Sequence, residues 1–380
     1  MFSTSNPPCA GITVLSLAEQ YPGPMCTRLL CELGAEVIQI ERHAGGDPQR
    51  GANPWLFRST AQNKKSITLD LKNKQALKAA HLLVARAHVL IEGFRPGVMD
   101  RIGLGYKALH AINPKLVYCS LSGFGQDGPN RDIVGHNINY EAITGLLDPY
   151  LQEDQRYSFF PAGLPLGDIL GGYTSALAIM AALRQVDRGE PGPYLDISIA
   201  DTVAFAMAPV LTSKLNGGTG WSIREAGYDI FRTSDGHIAL GINYEDDFWH
   251  AFCHETGLET LAAMGREQRV AQRDLLRVRM QERLLLQNTD YWVSTFAAHR
   301  VPCARARKLD DVPHDEQLAH RGLFITARDE LGREFVSVAS PFSRNQPGKL
   351  GNQVPVLGGA TREVLSTLGL PAEVLEELLA

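Results

Sequence analysis

The sequence is short of cysteine: there are six in 380 residues (Cys9, Cys26, Cys31, Cys119, Cys253 and Cys303), widely spaced and without a CxxC pair. That usage predicts reduced, buried thiols in a cytosolic compartment. An export signal is lacking as well, because the N-terminus MFSTSNPPCAG has no basic stretch followed by an apolar core. The longest uncharged stretch in the apolar middle, Ile169 to Leu183, is interrupted by Gly171 and Gly172. It falls short of the roughly 20 residues a membrane span needs. Nor is there an excess of positive charge: 37 Lys and Arg against 42 Asp and Glu give a net charge of −5. Nothing therefore favours nucleic acid or an anionic membrane as partner, and any anionic ligand must be held by a local basic site. These absences predict a soluble cytoplasmic protein.

What is present is enough apolar material for a core. The chain is 44% hydrophobic and 21% charged, with 36 Gly and 21 Pro, which excludes disorder and collagen-like repeats. Its length predicts two to three domains. Strand signals at Ile12–Leu17, Glu36–Ile40, Ser66–Leu71, Val89–Glu92 and Leu116–Leu121 alternate with helical signals at Met25–Leu33 and Lys74–Arg86. That alternation argues βαβ units and a parallel sheet, hence an α/β domain. A glycine-rich loop, Gly123 to Pro129, follows the last of these strands. A second glycine-rich turn, Gly163 to Gly172, leads into an apolar helix from Tyr173 to Leu183, and a strand at Tyr194–Ile199 and a helix from Asp201 to Leu215 follow. Asn216 to Gly220 is the clearest linker, and Gly227 to Ile242 has hairpin character about Ser234-Asp-Gly236. The expected domains are 1–215, an α/β domain; 216–322, a linker and smaller α+β domain; and 323–380, a return to the first.

Several constellations bear on chemistry. The first strand–turn–helix, followed by a strand ending in Glu41, invites a dinucleotide reading, but the turn reads AEQYPGPMC in place of GxGxxG. Pro22 and Pro24 also remove amides a pyrophosphate would need, so that reading is rejected. Arg42, Arg58, Lys64, Lys65, Lys72 and Arg95 gather after the strands, where they suit a polyphosphate or are simply solvated surface charges. Asp168, in LGDILGG at the mouth of an apolar helix, is a carboxylate able to attack an acyl thioester or act as a base, or else a plain N-cap. His136, in GHNINY, would pair with Asp168 as acid and base, or is a hydrogen-bonded structural histidine. Glu245 is a third acid/base candidate, or a first-turn helix acid. His250, Cys253 and His254 share one helical face, but no further ligand cluster supports a metal, and none is expected. Ser120 and Ser122 do not lie in a GxSxG elbow, which disfavours a serine hydrolase.

In chain order, GITVLSLAEQYPGPMCTRLLCELGAEVIQIER, NKKSITLDLK, VLIEGFRPGVMDRIGLGY, NPKLVYCSLSGFGQDGP, GHNINYEAITGLL, LGDILGGYTSALAIMAALRQVDRGEPGPYLDISIAD, RVPCARARKLDDV and TREVLSTLGL resemble the family III CoA-transferases, the CaiB/BaiF family. The resemblance is nearest in motif to the racemase branch. It implies a large Rossmann-like domain with a parallel sheet that carries both chain ends, a smaller domain, and two subunits interlocked as a homodimer with active sites between large and small domains. It implies acyl-CoA and carboxylic acid as substrates, with the coenzyme A thioester as substrate and no tightly bound cofactor. Asp168 occupies the position that forms an anhydride and then an enzyme–CoA thioester, His136 matches the racemase histidine, and Glu245 matches a supporting glutamate. Arg42, Asn63, Lys64, Lys65 and Arg95 fall in segments resembling CoA-contacting ones, and Gly123 and Gly125 lie in the loop expected to supply amides to the oxyanion and close over the site. Asn137 replaces the aspartate that follows the histidine in racemases, their loop before the small domain is missing from GGTGWSIREAGYDIF, and LGGATREVL lacks the family's Glu-His. The reading is CoA transfer, with α-methylacyl-CoA racemisation by His136 and Asp168 as the alternative.

Overall fold

Along four neighbouring strands, Val14, Val37, Val89 and Val117 alternate with Leu15, Ile38, Leu90 and Tyr118, and both sets are buried. A strand apolar on both faces requires a sheet covered on both sides, the pattern of parallel α/β sheets. The computed structural model describes residues 7–148, 164–220, 225–342 and 352–379, and shows this arrangement. Six strands, β1 (Thr13–Leu17), β2 (Glu36–Glu41), β3 (Lys65–Thr68), β4 (Val89–Glu92), β5 (Val117–Ser122) and β6 (Tyr194–Ser198), pair in parallel in the order β3-β2-β1-β4-β5-β6. One face carries Leu15, Ile38, Ile67, Leu90 and Tyr118 against helices α2 (Lys74–Val84), α3 (Tyr106–Ile112) and α10 (Thr361–Ser366). The other carries Val14, Val37, Ile91 and Cys119 against α1 (Pro22–Glu32) and α5 (Leu166–Val186).

This is the doubly wound order, which reverses between β1 and β4, and ligands of such sheets bind at the carboxyl ends of the strands at that point. α4 (Asn137–Ile143) and α6 (Ile199–Ala206) pack beside α5 around the end of β5, with Leu121, Tyr140 and Ile199 between them.

The chain divides into two units, Met1–Ala208 with Ala319–Ala380, and Pro209–Leu318. The helix Ala208–Leu215 thus falls almost wholly in the second unit, and the expected helix Asp201–Leu215 is two helices. In the second unit, antiparallel strands β7 (Tyr228–Arg232), β8 (His237–Gly241) and β9 (Cys303–Arg305) meet α7 (Asp246–Thr256), α8 (Arg273–Leu284) and α9 (Thr289–Ala298) over Phe231, Ile238, Trp249, Phe252 and Phe296. The first unit also holds an antiparallel hairpin, β10 (Phe324–Arg328) with β11 (Glu334–Val338), and ends on α11 (Ala372–Leu379). Gly163 and residues 221–224 after the linker lie outside the described residues.

The expected glycine-rich turn before the apolar helix is helix instead. α5 starts at Leu166, with Gly167, Gly171 and Gly172 inside it and buried. These glycines cost helix propensity but admit close neighbours: a Cβ at Gly171 would lie 3.0 Å from the Ile199 side chain. At 21 residues, α5 is long and apolar enough by composition to cross a membrane, contrary to the expectation that this stretch falls short. In the fold its Ala176, Ile179, Ala182 and Leu183 are buried against α1 and the sheet. All six cysteines are free; five are buried, and Cys303 is half-buried, a small departure from the expectation.

Candidate active site

The loops after β1, β4 and β5 meet the starts of α1, α4 and α5 around a cavity of ≈ 330 Å³. Its walls include Gln20 and Gly23 after β1, Phe94 and Arg95 after β4, and Gly123 after β5. Arg131, His136 and Asp168 complete the site. The cavity therefore sits at the switch point of the sheet. The first loop is pinned from below: the Gln20 amide, at φ 71, donates to Asp47 Oδ2 at 3.0 Å. Glu41, which would hold a ribose in a dinucleotide site, is instead buried against Arg50 and Ser66, at 2.7 and 2.6 Å.

Asp168 is the third residue of α5, whose N-cap is Pro165, so it is not a capping side chain. Its backbone N–H donates to Asn137 Oδ1 at 3.1 Å, and among the described residues its carboxylate accepts no hydrogen bond. Two effects oppose each other there. The helix N-terminus favours the anion by about 0.3–1 kcal/mol. Burial, reinforced by the nearby Glu141 carboxylate, pushes the Asp168 carboxyl up to about 7. A rise of that size from an ordinary aspartate corresponds to about 4 kcal/mol, so desolvation wins. The result is a poorly solvated carboxylate facing a cavity whose walls carry the Arg95 and Arg131 cations. Burial, with Asp168 adding to it, also pushes the Tyr140 phenol up to about 12.

Asn137 explains how α4 and α5 are held together. It is buried, its Oδ1 takes the Asp168 N–H, and its Nδ2 donates to Glu141 Oε1 at 2.8 Å; the Gly167 N–H also reaches Glu141 Oε1, at 3.3 Å. An aspartate at 137 would turn one of its oxygens toward that buried glutamate oxygen. Asn137→Asp is expected to cost about 2–3 kcal/mol of stability and at least about tenfold in activity. Thermal melts and initial rates check this; wild-type stability and activity in the variant would contradict it.

His136 shares the cavity with Asp168, and its backbone N–H donates to Asn139 Oδ1 at 2.9 Å as α4 begins. Its ring is exposed, and among the described residues no hydrogen bond or ion pair joins it to Asp168. Glu245 belongs to the second unit, where it precedes α7, and its Oε2 is buried without a hydrogen-bond partner among the described residues. Gly123 lines the cavity; Gly125 does not, and its N–H donates to Ser122 Oγ at 3.1 Å.

Of the cations singled out from the sequence, only Arg95 borders the cavity. Arg42 is exposed and pairs with Glu19 at 3.1 Å. Asn63 takes a left-handed turn at φ 64, and Arg58 pairs with Glu330 at 3.1 Å. Lys64 is buried, its ammonium donating to the Pro24 carbonyl at 2.9 Å and to Thr27 Oγ1 at 2.7 Å, so it braces the first turns of α1. Lys65 is held by Glu36 and Glu363 at 2.6 and 2.8 Å. Sequence reasoning missed Arg131 and Tyr140, although both follow the glycine-rich loop within a dozen residues or so.

A doubly wound sheet with a desolvated carboxylate and two arginines at its switch point defines an α/β protein with a charged cavity where such sheets bind ligands. The sequence profile of CoA-transferase family III matches residues 9–361, and the chain belongs to that family. It is a CoA-transferase. It is 28% identical over 388 residues to a succinate–glutarate CoA-transferase of Agrobacterium fabrum, covering 96% of each chain. It is 30% identical over 394 residues to the succinyl-CoA–L-malate CoA-transferase alpha subunit of Chloroflexus aurantiacus, covering 98% of this chain and 91% of that one. Among solved structures it is similar to a CaiB/BaiF family protein from Brucella suis, with TM-score 0.83, 28% identity, and coverage of 96% of this chain and 100% of that one.

Proposed function

We propose that this protein moves CoA between an acyl-CoA and a carboxylic acid by covalent catalysis at Asp168. The observation that carries the reading is the Asp168 carboxylate itself: desolvated, without a hydrogen-bond partner among the described residues, and open to the cavity. The carboxylate attacks the thioester carbonyl, forming an aspartyl–acyl anhydride and expelling CoA thiolate. The thiolate attacks the aspartyl carbonyl, giving an aspartyl–CoA thioester and releasing the first acid. The second acid attacks that thioester, forming a new anhydride and freeing the thiolate again. The thiolate then attacks the acyl carbon, giving the new acyl-CoA and restoring Asp168. Every bond made is balanced by one broken, so the sequence needs no resident cofactor. Arg95 and Arg131 supply positive charge for the phosphates of CoA or for a second carboxylate of the acid. The names of the relatives direct the assay to succinyl-CoA with a dicarboxylic acid.

The chain is proposed to act as a homodimer. Tyr173, Leu177 and Phe205 leave large apolar side chains exposed on α5 and α6, and Ile133 and Val134 do so at the cavity edge, more than single scattered residues require. Glu245 enters as a supporting acid on the resemblance alone. Incubating the protein with succinyl-CoA and measuring its intact mass tests the mechanism: a CoA adduct mapping to Asp168 is expected, and turnover in Asp168→Ala would refute it. The alternative, racemisation, keeps one observation in its favour, the presence of His136 in the same cavity. Under transfer His136→Ala is expected to be impaired, and under racemisation nearly inactive.

A further inference from the structure

Glu92 closes β4 and is 3% exposed. One of its carboxylate oxygens accepts the Phe94 N–H at 2.7 Å, and the other accepts the Ser120 hydroxyl. Ser120 Oγ in turn accepts from Tyr194 Oη at 3.1 Å. A chain of hydrogen bonds thus runs from the edge strand β6, across β5, to the residue at which β4 turns into the cavity wall. Phe94 and Arg95 line the Asp168 cavity; Glu92, Ser120 and Tyr194 line a separate cleft of ≈ 420 Å³, and Arg95 borders both. The strand-to-loop turn after β4 is therefore a partition, and Glu92 is the side chain that fastens it.

We propose that Glu92 is a positioning residue for the acyl-CoA site: anchored on Ser120 and Tyr194, it fixes the Phe94 amide and so the placement of Phe94 and Arg95 against the bound thioester. This rests on the reading of the Asp168 cavity as the acyl-CoA site. Burial pushes the Glu92 carboxyl up to about 7, against the opposing hydrogen bonds from Ser120 and Phe94, while Asp100 and Asp196 face it and add to the rise. A glutamine keeps both contacts, its oxygen accepting from Phe94 and its amide donating to Ser120 Oγ once the Ser120 hydroxyl proton turns away.

The test combines steady-state kinetics with calorimetric binding of free CoA to the full chain. Glu92→Ala is expected to raise KM for the acyl-CoA and Kd for free CoA at least about tenfold, with kcat within about threefold of wild type. Glu92→Gln is expected to restore both constants to within about threefold, and Tyr194→Phe to raise them about two- to fivefold. Unchanged constants in Glu92→Ala, or a Glu92→Gln as impaired as the alanine variant, would overturn the proposal. Should Glu92→Ala fail to fold, Ser120→Ala and Tyr194→Phe interrogate the same chain, and normal constants in both would refute it. A wild-type protein that binds CoA without moving it between acids would refute the transfer reading, and the calorimetric comparison would still decide the role of Glu92.

Discussion

Asp168→Asn is expected to lower CoA transfer at least about a thousandfold and, at pH 8, to stabilise the fold. The amide is a poor nucleophile of nearly the same shape, so the loss tests chemistry and not packing. The stability gain follows from linkage. Burial and Glu141 raise the native carboxyl to about 7, above its unfolded value. Between those two values the native state binds more protons than the unfolded one, so stability falls as pH rises through that window. The favourable contribution is complete below the unfolded pKa and lost above 7, where the charged form costs about 2–4 kcal/mol. The neutral amide of the variant would carry no such cost, so the gain in melting temperature should be largest at pH 8 and shrink as pH falls toward 4. For the wild type, kcat/KM should rise from pH 6 to pH 8 as the Asp168 carboxyl ionises. A flat profile, or an asparagine variant less stable than wild type at pH 8, would contradict the assignment.

Gly172→Ala should be nearly as damaging by a different route. Gly172 lies one turn after Asp168 on α5, where the start of α1 crosses closely. An added Cβ would stand 2.7 Å from the Pro22 carbonyl oxygen and 3.1 Å from Met25 Cβ. The nearer neighbour is backbone, so the two helices must separate. The expected cost is about 2–4 kcal/mol of stability. Because Pro22, Gly23 and Asp168 all line the cavity, at least about a hundredfold of activity should go with it. Gly265→Ala serves as the control: nothing lies within 4 Å of its added Cβ, and both stability and activity should stay near wild type. Chemical denaturation and initial rates on the two variants check the contrast, and a fully active Gly172→Ala would show that the α1–α5 contact is not needed for the site.

Those two predictions draw on different depths of the sequence. Strands β1, β2, β4 and β5 of the large sheet were legible because each carries apolar residues on both faces, and Val89–Glu92 is found with the expected bounds. Asp168 and His136 were legible as candidates, and the fold brings both to one cavity. The helical start of α5 was hidden, because its glycines read locally as a turn; what outweighs their propensity is close packing against α1 and α6, invisible along the chain. Lys64 was hidden in the same way. Its partners Pro24 and Thr27 lie 40 and 37 residues earlier, so only the fold reveals that its charge is spent inside the protein. Asn137 was visible as a departure from the racemase pattern, but its reason, a buried carboxylate on the next turn of the same helix, needed the structure.

One incubation in deuterated water tests the assignment of transfer through Asp168 most directly. The wild-type protein and Asp168→Asn would be mixed with a panel of acyl-CoAs, succinyl-CoA and a 2-methylacyl-CoA among them, and with free carboxylic acids, and the thioesters read by mass spectrometry. The account predicts a new CoA thioester that carries no deuterium at its α-carbon, formed by the wild type alone. An original thioester one mass unit heavier, with no exchange between acids, would contradict it and establish proton exchange at the α-carbon instead.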